Sequence, residues 1–271
     1  MNVPTGLAIW IWELPKCERG DPGAIAAKAK ASGVTTVFVK AGSTTSNGQV
    51  TAALIARLRT DGVDCIPWWY CVPSALDAQI AMLKSLQERC GATGFAMDSE
   101  DEWDSPDQRA IAAQFAQRIR DAVGKDAWLA DAPWARPVSH KAPFPYREFG
   151  RVMNCRMPQF YWELAEVAGE PLTHFFDAAD REWEQTAPGI VVCPALSAVD
   201  EEGTRHAPLS ELAAALDRYA SRPLVSLWSW QHLNPAEWAL LAARAASAPP
   251  TLTNPLAGIP VPGLVVPGEN A

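Results

Sequence analysis

Apolar strand-like runs alternate along most of the chain with Ala-rich segments whose apolar positions recur every three or four residues. The runs are Gly6–Leu14, Thr35–Gly42, Cys65–Val72, Gly94–Glu100, Ala127–Ala132, Arg156–Trp162, Gly189–Leu196 and Pro223–Trp230. Helical period follows them over Pro22–Ser32, Gln49–Thr60, Ser74–Cys90, Ser105–Val123, Glu170–Gln185, Leu209–Ala220 and Pro235–Ala246. Ser105 and Pro106 suit the cap and first turn of the fourth helix. The connection over Pro133–Arg147 is proline-rich and irregular. Eight such strand units within residues 1–247 predict one α/β domain, a single (β/α)8 TIM barrel. A doubly wound open sheet shares the alternation, but no GxGxxG follows the first strand. Residues 248–271 hold six prolines and three glycines without periodicity and predict an extended Pro-rich tail or linker. The apolar residues between Leu252 and Val266 predict that part of this tail lies against the barrel.

The 271 residues are 48% hydrophobic and 20% charged, enough apolar material for a sizeable core. A net charge of −8 with no basic cluster argues against a nucleic-acid partner. No apolar run has the length of a membrane span, so membrane insertion is not expected. The stretch Met1–Thr5 lacks the basic segment and long apolar run of a signal peptide. That predicts a cytoplasmic chain until release by lysis or export, or one associated with a virion. The six cysteines show no CxxC pairing and no histidine spacing suited to zinc. They read as reduced, buried thiols, and neither a metal nor a cofactor is expected.

The fourth apolar run ends in Asp98-Ser99-Glu100-Asp101-Glu102-Trp103. Side chains on a strand alternate between faces, so Asp98 and Glu100 point the same way with Cα atoms roughly 6.5–7 Å apart. Neighbouring carboxylates repel, which raises one pKa and leaves an acid and a base together near neutrality. That pairing suits cleavage of a glycosidic bond. A solvated acidic loop is the competing account, and it is the one preferred for Asp101 and Glu102.

Barrel active sites sit at the C-terminal ends of the strands. Those ends gather Trp10, Trp12, Lys40, Trp69, Tyr70, Asp131, Gln159, Tyr161, Trp228 and Trp230 around the acidic pair as candidate substrate-binding residues. Aromatic rings beside carboxylates suit a carbohydrate, since sugar C–H faces pack on rings while hydroxyls take polar partners. Packing between barrel and helices would explain any one of the tryptophans equally well. His140, His174, His206 and His232 have no Ser or Cys arrangement that would support a nucleophilic triad.

The chain resembles the family 25 glycoside hydrolases, lysozymes that cut the bond between N-acetylmuramic acid and N-acetylglucosamine. The resemblance rests on Val37-Phe38-Val39-Lys40-Ala41-Gly42, on Asp98-Ser99-Glu100, and more loosely on Leu227-Trp228-Ser229-Trp230-Gln231. It implies that the partner is a polysaccharide, most simply peptidoglycan. Glu100 would be the general acid, and Asp98 would orient the 2-acetamido group or stabilise positive charge at the anomeric carbon. Gln159 and Tyr161 would donate hydrogen bonds to the sugar. Lys40 would face the substrate or pair with the acidic residues.

Two positions depart from the pattern. The family's first strand opens Gly-Ile-Asp, and here it reads Gly6-Leu7-Ala8. The acidic residue that follows the family's second strand is absent from Gly42-Ser43-Thr44-Thr45. Participation of the substrate's own acetamido group would remove the need for a protein nucleophile. Asp131 and Glu163 are possible replacements for the missing carboxylate. A barrel without activity, acting as a glycan-binding or structural module, is the alternative these departures motivate.

Overall fold

The structure is a computed structural model describing residues 3–140, 143–162, 169–197, 199–200 and 203–247. The expected tail over 248–271 and Glu163 lie outside the described residues. Nine strand segments are parallel throughout: β1 (Gly6–Ile11), β2 (Val34–Gly42), β3 (Asp64–Cys71), β4 (Gly94–Ser99), β5 (Trp128–Ala132), β6 (Cys155–Arg156), β7 (Gln159–Tyr161), β8 (Ala195–Ser197) and β9 (Leu224–Trp228). Their order is β6-β5-β4-β3-β2-β1-β9-β8-β7.

Segments β6 and β7 are two pieces of the sixth barrel strand, so the curled sheet meets itself. Met157 N donates to Asp131 O at 2.7 Å and Gln159 N donates to Pro133 O at 2.8 Å on one side. On the other side Cys193 N donates to Arg156 O at 2.7 Å and Ala195 N donates to Pro158 O at 2.9 Å. The chain thus forms the TIM-barrel-like α/β fold that its periodicity predicts. The sixth and seventh strands are shorter than expected because Pro158 and Pro194 have no N–H to give to the ladder.

Helices wrap the outside: α1 (Pro22–Ala31), α2 (Ala52–Thr60), α3 (Leu76–Cys90), α4 (Gln108–Val123), α5 (Tyr146–Gly150), α6 (Leu172–Thr186), α7 (Leu209–Arg218) and α8 (Pro235–Ser247). Asp21 caps α1 by accepting from Gly23 N and Ala24 N, with Pro22 at the first position. Thr51 caps α2 through Leu54 N. The Ser105 cap expected for α4 does not form. That helix starts at Gln108, and Ser105 instead accepts the Gln108 N–H through its backbone carbonyl. The connection expected to be irregular over Pro133–Arg147 runs into the short helix α5, whose first two residues it includes.

Strand alternation separates two apolar layers. Ala8, Trp10, Phe38, Ile66, Trp68, Ala96, Trp128, Ala130, Ala132, Cys155, Met157, Cys193, Ala195 and Leu224 fill the barrel. Three tryptophans and a phenylalanine pack ring on ring there, Trp10 against Phe38 and Trp68, and Phe38 against Trp128, and the small alanines of the same layer leave them room. The opposite parity of the strands, including Ile9, Val37, Val39, Trp69, Phe95, Met97, Leu129 and Leu227, packs against the helices. All six cysteines are free, and all but the half-buried Cys90 are buried. Among the described residues no helix is long and apolar enough to cross a membrane.

Candidate active site

Inward parity continued to the strand ends brings Trp12, Lys40, Tyr70, Asp98, Glu100, Gln159, Tyr161 and Trp228 to the barrel mouth. Register fixes their neighbours: Lys40 lies opposite Trp68, Tyr70 opposite Asp98, and Ser197 between Tyr161 and Trp228. Trp228 is the keystone of the aromatic wall. Its ring lies 5.7 Å from Trp68, 6.1 Å from Trp12 and 6.4 Å from Tyr161, centroid to centroid. Trp12 is 39% exposed and forms the outer lip.

The acidic pair sits at the floor. Asp98 is buried and Glu100 half-buried. Gln159 Nε2 lies 2.9 Å from Asp98 Oδ1, 2.9 Å from Glu100 Oε1 and 3.1 Å from Ala132 O. One side-chain amide therefore gathers both carboxyl groups into a single hydrogen-bond shell. Burial, then the charge of Glu100, pushes the Asp98 carboxyl well above the usual range, against the opposing pull of Lys40 and Gln159. A carboxyl desolvated beside a second carboxyl group is expected to shift in this direction.

Lys40 approaches three rings, with Nζ 4.8 Å from the Trp68 centroid, 5.3 Å from Trp12 and 5.9 Å from Tyr70. Burial lowers its pKa, while the charges of Asp98 and Glu100 raise it. The cation thus faces the acidic pair across an aromatic box. Tyr70 donates its hydroxyl to Glu102, whose two oxygens lie 2.5 and 2.6 Å away. Burial and that hydrogen bond raise the phenol's pKa.

Glu102 is a mouth residue that sequence reasoning placed in a solvated loop. Trp103 explains the difference. Its indole is fully buried outside the barrel, stacked on Phe115 at 6.1 Å and bonded to Cys71 O at 2.8 Å. That anchor folds the acidic segment back, so Asp101 stays exposed while Glu102 turns toward Tyr70.

Four expected substrate-binding residues do not line the mouth. Trp69 has the opposite parity to Trp68 and Tyr70, is fully buried, and donates to Gln79 on α3 at 3.1 Å. Asp131 faces outward between barrel and helices, where it forms a buried ion pair with Arg156. Arg156 also bonds Tyr146 O at 2.8 Å and lies 4.9 Å over the Trp183 ring. Trp230 is buried behind the wall, where it donates to Glu18 at 2.5 Å and packs on Trp238 at 4.7 Å. Trp10 does point inward, but it is a buried filler beneath the floor, 4.7 Å from Phe38 and bonded to Ser226 Oγ at 2.9 Å. Among the described residues no group of three or more His, Cys, Asp or Glu is placed to hold a metal ion.

No family model and no curated protein matches the sequence. The fold is similar to solved glycoside hydrolase barrels. The glycoside hydrolase domain of PgaB (BpsB) from Bordetella bronchiseptica superposes with a TM-score of 0.65 at 12% identity, covering 90% of this chain and 98% of that one. The spore cortex-lytic enzyme SleL of Bacillus cereus gives 0.62 at 11% identity, covering 88% and 73%. A chitinase from Bacteroides thetaiotaomicron gives 0.61 at 13% identity, covering 90% and 96%. No family match supports family 25 specifically; the solved neighbours are chitinase-like barrels and other glycoside hydrolases. At these identities the likeness establishes a shared architecture.

Proposed function

We propose that the chain is a glycoside hydrolase acting on an N-acetylated polysaccharide, with peptidoglycan as the substrate its lysozyme-like motifs favour. The observation that carries this reading is the Asp98–Glu100 pair, held by Gln159 at the floor of an aromatic-walled barrel mouth. Glu100, the less buried of the two, protonates the glycosidic oxygen as the bond to the anomeric carbon breaks. The 2-acetamido oxygen closes on that carbon from the other face. Asp98, whose burial makes it hold the shared proton at rest, passes that proton to Glu100 when the acetamido group binds. As a carboxylate it then accepts from the acetamido N–H and stabilises the positive charge. Water then opens the ring intermediate, with Glu100 taking its proton. Tyr161 orients the sugar, Gln159 holds the two carboxyl groups that act on it, and Trp12 and Trp228 pack on its faces. The names of the neighbours, a chitinase and a cortex-lytic enzyme among them, support a substrate of this class.

Product analysis tests the reading. The purified chain is incubated separately with peptidoglycan sacculi and with chitin, and soluble products are read by mass spectrometry. Muropeptide or disaccharide products from sacculi support peptidoglycan, and chito-oligosaccharides alone move the substrate to chitin. Release from neither contradicts the proposal.

A glycan-binding barrel without turnover is the second reading. It is favoured by Ala8, a fully buried residue in the barrel interior where the resembling family carries an acid. Micromolar binding of N-acetylglucosamine oligomers with no new reducing ends would establish it.

A further inference from the structure

We propose that Gln49 is a positioning residue of this mouth: its side-chain amide clamps the ends of β1 and β2 so that Trp12 and Lys40 stand as a preset wall for a sugar ring. The inference rests on reading the mouth as a glycan site. Gln49 lies in the connection from β2 to α2 and carries no charge, so nothing in its chemistry marks it as a catalytic group. Its contacts are what single it out. Oε1 accepts from Leu14 N at 2.5 Å, and Nε2 donates to Trp12 O at 3.0 Å and to Lys40 O at 3.1 Å. Both amide hydrogens and one oxygen lone pair are thus spent on the backbone of the two strand ends that carry the wall.

The loop before Gln49 is built to deliver it. Gly42 has φ +147°, and a Cβ there would fall 1.9 Å from Thr45 O, so only glycine allows the chain to fold back at once. Gly42 then bridges Ser46, Asn47 N donates to Ala41 O at 2.8 Å, and Asn47 Oδ1 accepts from Gln49 N at 3.0 Å. From the other side Gln231 Oε1 accepts from Trp12 N at 3.3 Å. The backbone on both sides of Trp12 is therefore tied down, while the residue remains 39% exposed with its ring 6.1 Å from Trp228. An exposed ring on a fixed backbone is ordered before a ligand arrives, which lowers the entropic cost of binding. Glutamate at position 49 would keep the acceptor for Leu14 but turn a lone pair toward two carbonyls.

The test is a thermodynamic cycle on the full chain. Parent, Gln49→Ala, Gln49→Glu, Trp12→Ala and the Trp12→Ala/Gln49→Ala double variant are titrated with N-acetylglucosamine hexamer by isothermal calorimetry. Circular dichroism checks folding, and the near-isosteric Gln49→Glu serves if Gln49→Ala is unstable. The expected result is about tenfold weaker binding for either Gln49 variant, shrinking to less than about twofold in the Trp12→Ala background. Unchanged affinity in both Gln49 variants overturns the inference, as does an equal loss with and without Trp12, which marks a merely structural role. A parent that binds neither the hexamer nor soluble peptidoglycan fragments overturns the glycan reading itself, and the inference with it.

Discussion

Asp98 and Glu100 accept hydrogen bonds from the same nitrogen, the Nε2 of Gln159, at 2.9 Å each. Two carboxyl groups in one shell share a charge that the site's burial penalises, and the amide sets where each oxygen points. The proposed division of labour, proton donor above and acetamide partner below, depends on that arrangement.

Gln159→Ala should therefore disturb chemistry more than binding. Without the amide donor, Asp98 loses a contact that holds its pKa down, so its already raised value climbs further. The acidic limb of the pH–rate profile should move to higher pH, and kcat should fall by about 10- to 100-fold. Hydrolysis rates of a soluble N-acetylglucosamine oligomer across pH check both effects. A profile that overlays the parent's would contradict the role assigned to Gln159.

Asp98→Asn should stabilise the fold near neutrality. Burial and the charge of Glu100 raise the folded-state pKa of Asp98. A group so raised contributes stability below its unfolded value, and that contribution is lost as pH rises through the folded value. Asparagine removes the penalty and still offers Gln159 an oxygen. Thermal melts should show the variant a few degrees above the parent at about pH 8, with the two converging near about pH 4. A variant equal to or below the parent at the higher pH would count against a desolvated Asp98.

Asp131 is expected to matter for stability alone. It pairs with Arg156 in a site where both side chains are almost fully buried. Asp131→Ala leaves a buried guanidinium without its partner and should cost about 3–5 kcal/mol, whereas Asp131→Leu with Arg156→Met should recover much of that. Urea melts measure it. If Asp131→Ala folds normally but loses substrate affinity, the residue belongs to the site after all.

Trp228→Ala should raise KM by about tenfold or more, because it removes the ring that joins Trp12, Trp68 and Tyr161. Trp69→Phe, which removes only the packing and the Gln79 hydrogen bond that Trp69 makes with α3, should cost stability but leave KM unchanged. Steady-state kinetics on the two variants separates the inner wall from the outer layer.

The architecture was legible because strand and helix periods differ along the chain and recur eight times. The acidic pair was legible for the same reason, since period two places Asp98 and Glu100 on one face. The same rule should have excluded Trp69, which cannot share a face with Tyr70 one position away. Trp230 and Asp131 were misplaced for other reasons. Trp230 lies two residues beyond the end of β9, where strand alternation no longer governs direction. Asp131 points outward to an arginine 25 residues along the chain, a pairing that composition does not announce. Glu102 and Gln49 were missed because each acts through a partner distant in sequence, 32 positions away for Tyr70 and 37 for Trp12. Their signal was the backbone return made by Trp103 in one case and Gly42 in the other. Both returns depend on tertiary contacts.

Substitution of Glu100 by glutamine is the most direct test of the central claim. The variant keeps the shape of the side chain and an oxygen for Gln159 but has no acidic proton to give the glycosidic oxygen. Reducing ends released from the N-acetylated glycan that the parent degrades should fall by at least about 100-fold, with an unaltered circular dichroism spectrum and glycan affinity within about twofold. Release at the parental rate would show that this carboxyl group is not the proton donor and that the proposed hydrolase mechanism is wrong.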